Sequence, residues 1–356
     1  MWRWILGAIV GSTFSISLSC GQAESPVPTQ APTIEGSATV TPEAPAGDGE
    51  TAGAGEFSVG SKPWAVAVDS EADRIYVANE GDNTVSVLDG KSGSVTHTID
   101  VGRGPSAIAV NPVTGRVYVA NLLSDTVTVI DGDSLSVVAT VVVGKAPWDI
   151  AIDSEVNRVY VTNSDSDSVS VIDGGDSSIV ASIAVDGTPR GVAVDPNTHL
   201  LYVTSADKRI DIVSVVDPSS GEILNTIPTG EAPWDVALDP GRGIIYTADS
   251  EDETVTVIDV TTGEVLDTVA VGLGPVSLVV DLESGWVYVA NSFEDTVSVI
   301  DGETRDLVGT LCKGGRPWDI DINPKTGRTY VANAGGNSVS VFDIASAHDG
   351  AGGLEC

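Results

Sequence analysis

Tryptophan, aspartate and arginine recur at equivalent places after prolines in this sequence. The residues are Trp64, Trp148, Trp234 and Trp318, then Asp149, Asp235 and Asp319 directly after three of these tryptophans, and Arg190 after another proline. Indole faces attract cations and stack on flat partners, and carboxylates attract cations. The pattern predicts an aromatic and acidic collar for a cationic or carbohydrate-like ligand. The alternative is structural, with each indole wedged between neighbouring structural units.

Groups for acid–base or redox catalysis are scarce. The histidines fall in a predicted outer strand, a turn and the tail, and they are His97, His199 and His348. Copper sites built from histidine clusters and a Ser/His/Asp triad are therefore excluded. We predict no enzyme. The alternative is a hydrolase that pairs Arg190 with Asp149 or Asp235.

Acidic residues also cluster in a second set of predicted loops. They are Glu80, Asp82, Asp125, Asp165, Asp167, Glu251, Asp252, Glu253, Glu294 and Asp295. Carboxylate oxygens suit calcium, but the D-x-[DN]-x-[DN]-G pattern with a distal Glu is absent from the sequence. We therefore predict solvated acids, with no metal and no cofactor.

The overall charge excludes several classes of partner. The sequence has 51 acidic and 17 basic residues, a formal net charge of −34. Such a chain repels nucleic acid and anionic membranes, so we expect neither as a direct partner. The three cysteines form no C-x-x-C pair, which excludes a c-type haem attachment and a zinc ribbon.

Residues 1–20 are typical of an export signal. A single Arg precedes an apolar stretch from Ile5 to about Ile16, which is too short to span a bilayer comfortably. Small residues then lead to Cys20, and this arrangement resembles a bacterial lipoprotein signal, although Ser17 replaces the usual Leu. The resemblance implies lipid attachment at Cys20; the alternative is a soluble secreted chain cleaved nearby.

Residues 21–55 are rich in Pro, Thr, Ala, Gly and Glu and lack Lys and Arg. Such a segment cannot bury enough apolar surface to offset its ordering entropy, so we predict a disordered tether.

The remainder, residues 56–356, is one repeat occurring seven times. Tyr recurs at intervals of 42 residues, once 44, and opens a four-residue motif in each copy. The tyrosines are Tyr76, Tyr118, Tyr160, Tyr202, Tyr246, Tyr288 and Tyr330. Each copy divides into four short strands rich in β-branched residues, separated by Gly, Asp and Pro turns. That pattern is typical of a propeller blade and predicts an all-β chain with almost no helix.

The Tyr-Val-Thr/Ala-Asn motif, the upstream Gly-x-x-Pro and the downstream Thr-Val-Ser-Val-Ile-Asp resemble the YVTN β-propeller repeat family over residues 57–343. This resemblance implies a seven-bladed propeller and an extracytoplasmic location. Propeller lactonases resemble this repeat distantly, so the hydrolase alternative includes a lactonase. Ser205 and Asp249 replace the usual Asn in copies four and five.

Ring closure can be predicted from the two ends. The last copy has three clear strands and a poor candidate for the fourth, whereas residues 56–59 match the end of a fourth strand with no blade before them. We therefore expect this N-terminal segment to complete the last blade, which removes an unpaired seam.

Strand alternation places the Gly-x-x-Pro connectors and the loops after Tyr-Val-x-Asn on one end of the propeller. The connectors also hold Lys62, Arg103, Lys145, Arg190, Lys313 and Arg316. These cations either form an anion-binding rim or balance nearby acids. Leu122, Leu123 and Phe293 in the loops either contact a partner or fold back onto their blades. A second basic set, Arg74, Arg116, Arg158, Arg242 and Arg328, lies on the opposite end and is predicted to be solvated or paired with turn acids.

Two cysteines remain if lipid occupies Cys20. Cys312 ends the outer strand of the sixth copy, and Cys356 ends a glycine-rich tail that follows the neighbouring copy. Export favours a disulfide between them, and the alternative is two separate thiols.

Together these features predict a secreted, lipid-anchored β-propeller that acts as a binding or interaction module at the cell envelope. We expect a monomer that binds an unknown protein or small ligand on the connector end and that meets the membrane only through its lipid. The alternative is an extracytoplasmic hydrolase or lactonase with its site at the channel mouth.

Overall fold

A computed structural model describes residues 55–207, 210–312 and 314–343. These residues form 28 strands. In chain order they are β1 (Gly55–Ser58), β2 (Pro63–Asp69), β3 (Arg74–Asn79), β4 (Thr84–Asp89), β5 (Val95–Asp100), β6 (Pro105–Val110), β7 (Arg116–Asn121), β8 (Thr126–Asp131), β9 (Ser136–Val142), β10 (Pro147–Asp153), β11 (Arg158–Asn163), β12 (Ser168–Asp173), β13 (Ile179–Ala184) and β14 (Pro189–Val194). The series continues with β15 (Leu201–Asp207), β16 (Ile210–Asp217), β17 (Glu222–Pro228), β18 (Pro233–Asp239), β19 (Ile244–Asp249), β20 (Thr254–Asp259), β21 (Val265–Ala270), β22 (Pro275–Val280), β23 (Trp286–Asn291), β24 (Thr296–Asp301), β25 (Leu307–Cys312), β26 (Pro317–Asn323), β27 (Arg328–Asn333) and β28 (Ser338–Asp343).

The strands form seven antiparallel sheets of four strands each, and these sheets are the blades of a propeller. Within a blade we name the strands a to d from the central channel outward. Blades 1 to 6 follow the chain without interruption from β2 to β25. The seven-bladed all-β prediction is confirmed. The part of the chain that the structure describes contains no helix that could cross a bilayer.

Blade 7 closes the ring. Its sheet order is β1-β28-β27-β26, so the N-terminal strand forms the outer strand d. Gly55 pairs with Val341 and Ser58 pairs with Ser338. The ring therefore closes with hydrogen bonds between the two ends of the repeat region, as the sequence predicts.

The hydrophobic core lies between blades. Seven apolar clusters each combine side chains of two neighbouring blades. The motif tyrosine is central to this packing, and Tyr76, Tyr118 and Tyr246 are among those that are fully buried. Its place in every copy explains the regular spacing of the motif, because each interface needs one large side chain at the same depth.

The two ends of the propeller differ. We call the end with the d–a connectors and the b–c loops the loop face, and the opposite end the turn face. Connectors and loops are hydrogen-bonded to each other: Glu80 N donates to Lys62 O (2.9 Å) and Leu122 N donates to Gly104 O (2.8 Å). The prediction that these segments share one face is therefore confirmed, and the hydrogen bonds between them are an additional finding.

The repeated arginines on the turn face act in two ways. Arg158 forms an ion pair with Asp173 (2.7 Å) and Arg242 forms one with Asp239 (2.7 Å), as predicted for pairing with turn acids. Three arginines donate to a glycine carbonyl of the next blade, and the pairs are Arg74 with Gly132, Arg116 with Gly174, and Arg328 with Gly90. Arg328 also forms an ion pair with Asp343 (3.7 Å). The contacts with the glycine carbonyls join neighbouring blades at their turn ends.

Candidate functional site: the tryptophan mouth

The four predicted tryptophans contact one another at the loop-face end of the channel. The ring centroids of Trp64 and Trp318 lie 5.0 Å apart and the rings are stacked. The other centroid distances are 6.3 Å from Trp64 to Trp148, 5.3 Å from Trp148 to Trp234 and 5.9 Å from Trp234 to Trp318. We call this closed set of contacts the tryptophan mouth.

The mouth spans the channel. These tryptophans belong to blades 1, 3, 5 and 7, of which only 1 and 7 are neighbours in the ring. Three of the four contacts therefore pass across an intervening blade, which requires the indoles to point toward the channel axis. Each tryptophan is half-buried, so part of its surface remains accessible. Trp234 also packs against the apolar cluster between blades 6 and 7, so the wedge alternative describes part of its contacts.

Arg190 of blade 4 lies within the mouth. Its guanidinium carbon is 3.9 Å from the Trp148 ring centroid and 5.2 Å from that of Trp234. Burial lowers the pKa of Arg190 to about 10, which still leaves it charged at neutral pH. The protein's own cation thus occupies two of the indole faces that the sequence offers to a cationic ligand. A second cation, Arg316, lies 5.8 Å from the Trp318 ring.

The predicted acids act as links between innermost strands. Asp149 accepts from the backbone N–H of Ile150 (2.7 Å) and, with its other oxygen, from that of Val192 in the next blade (2.9 Å). Asp235 likewise accepts from the backbone N–H of Val236 (2.7 Å) and, with its other oxygen, from that of Leu278 in the next blade (2.9 Å). An innermost strand faces the channel with an unpaired edge, and these carboxylates satisfy part of that edge.

Asp319 completes the set across the ring closure. Its Oδ2 accepts from Val66 N of blade 1 (2.8 Å), and its Oδ1 accepts from Ile320 N (2.9 Å) and from the Ser277 hydroxyl (2.8 Å). Both oxygens of all three predicted acids are therefore already hydrogen-bonded within the protein.

A fourth acid of this kind escaped prediction. Asp321, two residues further along β26, accepts from Ile322 N (2.8 Å) and from Val68 N of blade 1 (2.8 Å). Its position holds an apolar residue in the other copies, and this difference was the available signal. Asp321 adds a second link between the innermost strands of blades 7 and 1.

Burial raises the pKa of these carboxyls. The pKa of Asp149 rises to about 6 and that of Asp321 to about 7, mainly because the charged form loses solvation. The pKa of Asp235 rises for the same reason, and the nearby charge of Asp149 raises it further. The pKa of Asp319 is also raised by burial. The innermost strands next to the indoles therefore carry acids whose pKa values lie above the usual range of aspartate.

The loop acids predicted to be solvated also include backbone acceptors. Asp82 accepts from Ser61 N (2.7 Å) and Asp252 accepts from Glu231 N (2.8 Å), each within one blade. Asp125 and Asp295 accept from connector amides of the next blade, those of Ala146 (2.9 Å) and Arg316 (2.6 Å). The φ angles of Asp125 and Asp295 are 56° and 60°, in the left-handed region that Asp and Asn tolerate. Sequence reasoning missed this capping role. Within the described ranges, no group of acids, histidines and cysteines is arranged to hold a metal ion.

The loop-face cations are partly engaged. Lys62 forms an ion pair with Glu80 (3.5 Å), and Arg103 donates to the carbonyl of Leu123 (2.9 Å). Lys313 lies outside the described residues. The ion pair of Lys62 with Glu80 favours the alternative in which nearby acids balance the charge of this cation. The anion-binding rim stays a prediction.

The apolar loop residues fold back and stay exposed at the same time. The Leu123 side chain lies over Gly104, and Phe293 lies over Gly274. A Cβ on Gly104 would come 2.7 Å from Leu123 Cγ, and both glycines have positive φ, 62° and 63°. Nevertheless Leu123 is 51% exposed and Phe293 59% exposed. Leu122 is half-buried.

The remaining predicted residues do not join the mouth. His97 lies in outer strand β5, and His199 forms an ion pair with Asp153 on the turn face (2.7 Å). Cys312 ends β25, where it pairs with Thr296 of β24. Cys20, Cys356 and His348 lie outside the described residues, so the lipid attachment and the disulfide stay predictions.

Comparison with known proteins supports a propeller of the YVTN type. The model of the YNCE-like beta-propeller family matches residues 57–210. The chain is similar in structure to Kuenenia stuttgartiensis Hydrazine Synthase, with a TM-score of 0.72 and 22% sequence identity over 81% of this chain and 97% of that chain. No curated protein matches the sequence. At this level of identity the structural likeness shows the fold alone.

Proposed function

We propose that this protein is an exported binding module, held at the cell envelope by lipid on Cys20, which engages a protein or small ligand through its loop face. The tryptophan mouth is the observation that carries the proposal. Five tryptophans lie in the described part of the chain, and four of them meet at this one place with part of each residue accessible. Packing between blades does not account for the contacts among the four indoles, although Trp234 also packs against the cluster between blades 6 and 7.

The chemistry of the mouth suits recognition. Tryptophan and arginine are the residues most enriched at the energetic centres of interfaces, because they bury large areas with few rotatable bonds. Here Arg190 is stacked on Trp148, which fixes both side chains before any ligand arrives. A site held in this way loses little conformational entropy on binding.

The hydrolase alternative finds no support in the geometry. Asp149 and Asp235 each use both oxygens to accept backbone N–H groups, and Arg190 lies over the Trp148 ring with the Trp234 ring centroid 5.2 Å away. A general base must reach the proton that it abstracts, and these carboxylates are committed to holding the innermost strands together.

Co-purification from the native envelope tests the proposal. We would compare the intact chain with Trp148→Ala at the mouth and with Val113→Ser, a matched control at a 72% exposed apolar residue on the turn face. Circular dichroism and urea unfolding would establish that each variant is folded. We expect the set of recovered molecules to shrink for Trp148→Ala and to stay unchanged for Val113→Ser. Equal recovery with both folded variants would refute the proposed role of the loop face.

A further inference from the structure

Two residues with exposed apolar side chains are joined through their backbones on the loop face of blade 6. Leu273, in the connector, is 44% exposed, and Phe293, in the b–c loop, is 59% exposed. The backbone N–H of Phe293 donates to the carbonyl of Leu273 (3.1 Å), which keeps the two residues together. Single exposed apolar residues are ordinary on protein surfaces, but an adjoining aromatic and leucine resemble the centre of a protein contact.

The pair is held by its surroundings. Glu294 Oε2 accepts from the backbone N–H of Leu273 (3.1 Å). The Phe293 ring rests on Gly274, where a Cβ would come 2.4 Å from ring Cδ2. Because the backbone beneath both side chains is fixed, a partner would meet a preformed surface.

Acids predominate around this apolar pair, although the connector of blade 7 carries Arg316, whose backbone N–H donates to Asp295 (2.6 Å). The connectors and b–c loops of blades 5 and 6 carry six exposed acids and neither lysine nor arginine. We call them the acidic rim, and they are Glu231, Glu251, Asp252, Glu253, Glu294 and Asp295. The carbonyl of Glu253 accepts from Val271 N (3.0 Å), which places the loop of blade 5 beside the connector that carries Leu273.

Blade 2 offers the same backbone geometry with charges of both signs. Leu123 is 51% exposed and lies over Gly104, as Phe293 lies over Gly274. Its neighbour is Arg103, whose guanidinium donates to the Leu123 carbonyl (2.9 Å), and the surrounding loops carry Lys62 and Lys145 as well as the acids Glu80, Asp82 and Asp125. The repeat fold therefore allows cations to balance the acids around an exposed apolar loop residue, whereas the loops of blades 5 and 6 carry acids alone.

We infer that Leu273 and Phe293 bind an apolar side chain of a protein segment whose neighbouring residues are Lys or Arg. This inference rests on the proposed function, because it names the class of partner for the same face. The acidic rim attracts and orients the cationic segment, and the apolar pair supplies the contact that excludes water. A polyanionic or uncharged apolar partner would lack the first of these contributions.

Labelled synthetic peptides test the inference without knowledge of the natural partner. The first probe is the peptide Lys-Lys-Leu-Phe-Lys-Lys, and the second has Ser in place of its Leu and Phe, so that the charge is unchanged. We expect the first peptide to bind the full mature chain about tenfold more tightly than the second, since one central apolar contact commonly contributes that much. The advantage should persist in high salt, which screens the charge attraction common to both peptides.

Matched variants locate the effect. Leu273→Ser combined with Phe293→Ser should remove the advantage of the first peptide, whereas Leu123→Ser should leave it intact. Equal affinity of the two peptides for the unmodified chain, or the same loss in Leu123→Ser, would overturn the inference.

The same double variant separates this inference from the proposed function. In the envelope co-purification, loss of partners with Trp148→Ala but retention with the double variant would leave the loop-face function standing and refute the role of blade 6. Loss of partners with the double variant, together with the peptide result, would support both.

Discussion

Replacement of Asp249 by Asn should stabilise the protein at alkaline pH and have little effect at acidic pH. Asp249 is fully buried in blade 5 and accepts hydrogen bonds from the hydroxyls of Thr247 (2.8 Å) and Thr256 (2.5 Å). In blade 6 the equivalent residue is Asn291, which donates to Thr296 (3.0 Å) and Ser298 (2.9 Å). Asn therefore fits this environment without a charge.

The magnitude follows from the pKa. Burial raises the pKa of Asp249 from 3.8 to about 6. The folded protein thus holds this proton more tightly than the unfolded chain does, so the contribution to stability is complete below pH 4 and is lost as the pH rises through about 6. The difference between a pKa of 3.8 and one of about 6 corresponds to about 3 kcal/mol of unfolding free energy. Asp249→Asn should recover up to about this amount at pH 8 and almost none at pH 4.

Urea unfolding followed by tryptophan fluorescence at pH 4 and pH 8 measures the difference. The converse variant Asn291→Asp is the matched control, and it should lose stability at pH 8 by a similar amount. The comparison of each variant with the unmodified chain at one pH cancels the titration of the other acids. An equal change in unfolding free energy at both pH values, or destabilisation of Asp249→Asn at pH 8, would show that desolvation of this carboxylate is not the controlling effect.

Four further outcomes are expected. Arg190→Ala should destabilise the protein by about 2 kcal/mol and alter its tryptophan emission, because the guanidinium no longer contacts the indoles. Added methylguanidinium should restore part of the original emission, and an unchanged emission in the variant would contradict the contact of Arg190 with the indoles. Arg116→Met removes a contact to the next blade and should lower the unfolding free energy by about 1 kcal/mol, measured in urea, with an unchanged value arguing against the link. Cys20→Ala should release the protein from the membrane fraction, and fractionation identical to the unmodified chain would refute lipid attachment. Titration of the unreduced, denatured mature protein should find no free thiol if Cys312 and Cys356 are paired, whereas two free thiols would end that prediction.

The repeat made the fold predictable. Tyr76 and its counterparts mark the same depth in every blade, so their spacing gives the number of blades directly. Counting strands at the two ends was enough to assign β1 to blade 7. Both inferences use periodicity within the chain, and they need no knowledge of distances between blades.

The site was predictable only in part, because its chemistry depends on those distances. The recurrence of Trp after Pro located the mouth, but whether the indoles meet across the channel depends on its width, which sequence does not encode locally. The sequence suggested Asp149 and Asp235 as free ligands for a cation. In the structure, the oxygens of each carboxylate accept one backbone N–H of its own blade and one of the next blade. The contact of Arg190 with two indoles likewise requires residues from three blades to converge.

The closing strand also places both ends of the propeller on one face. β1 runs toward its connector at Lys62 on the loop face, so its first residue, Gly55, lies at the turn-face end, opposite the tryptophan mouth. The last described residue, Asp343, lies at that same end, because β28 runs antiparallel to β1. A pull applied through Gly55 would therefore act on the face opposite the mouth and would load the β1–β28 pairing first.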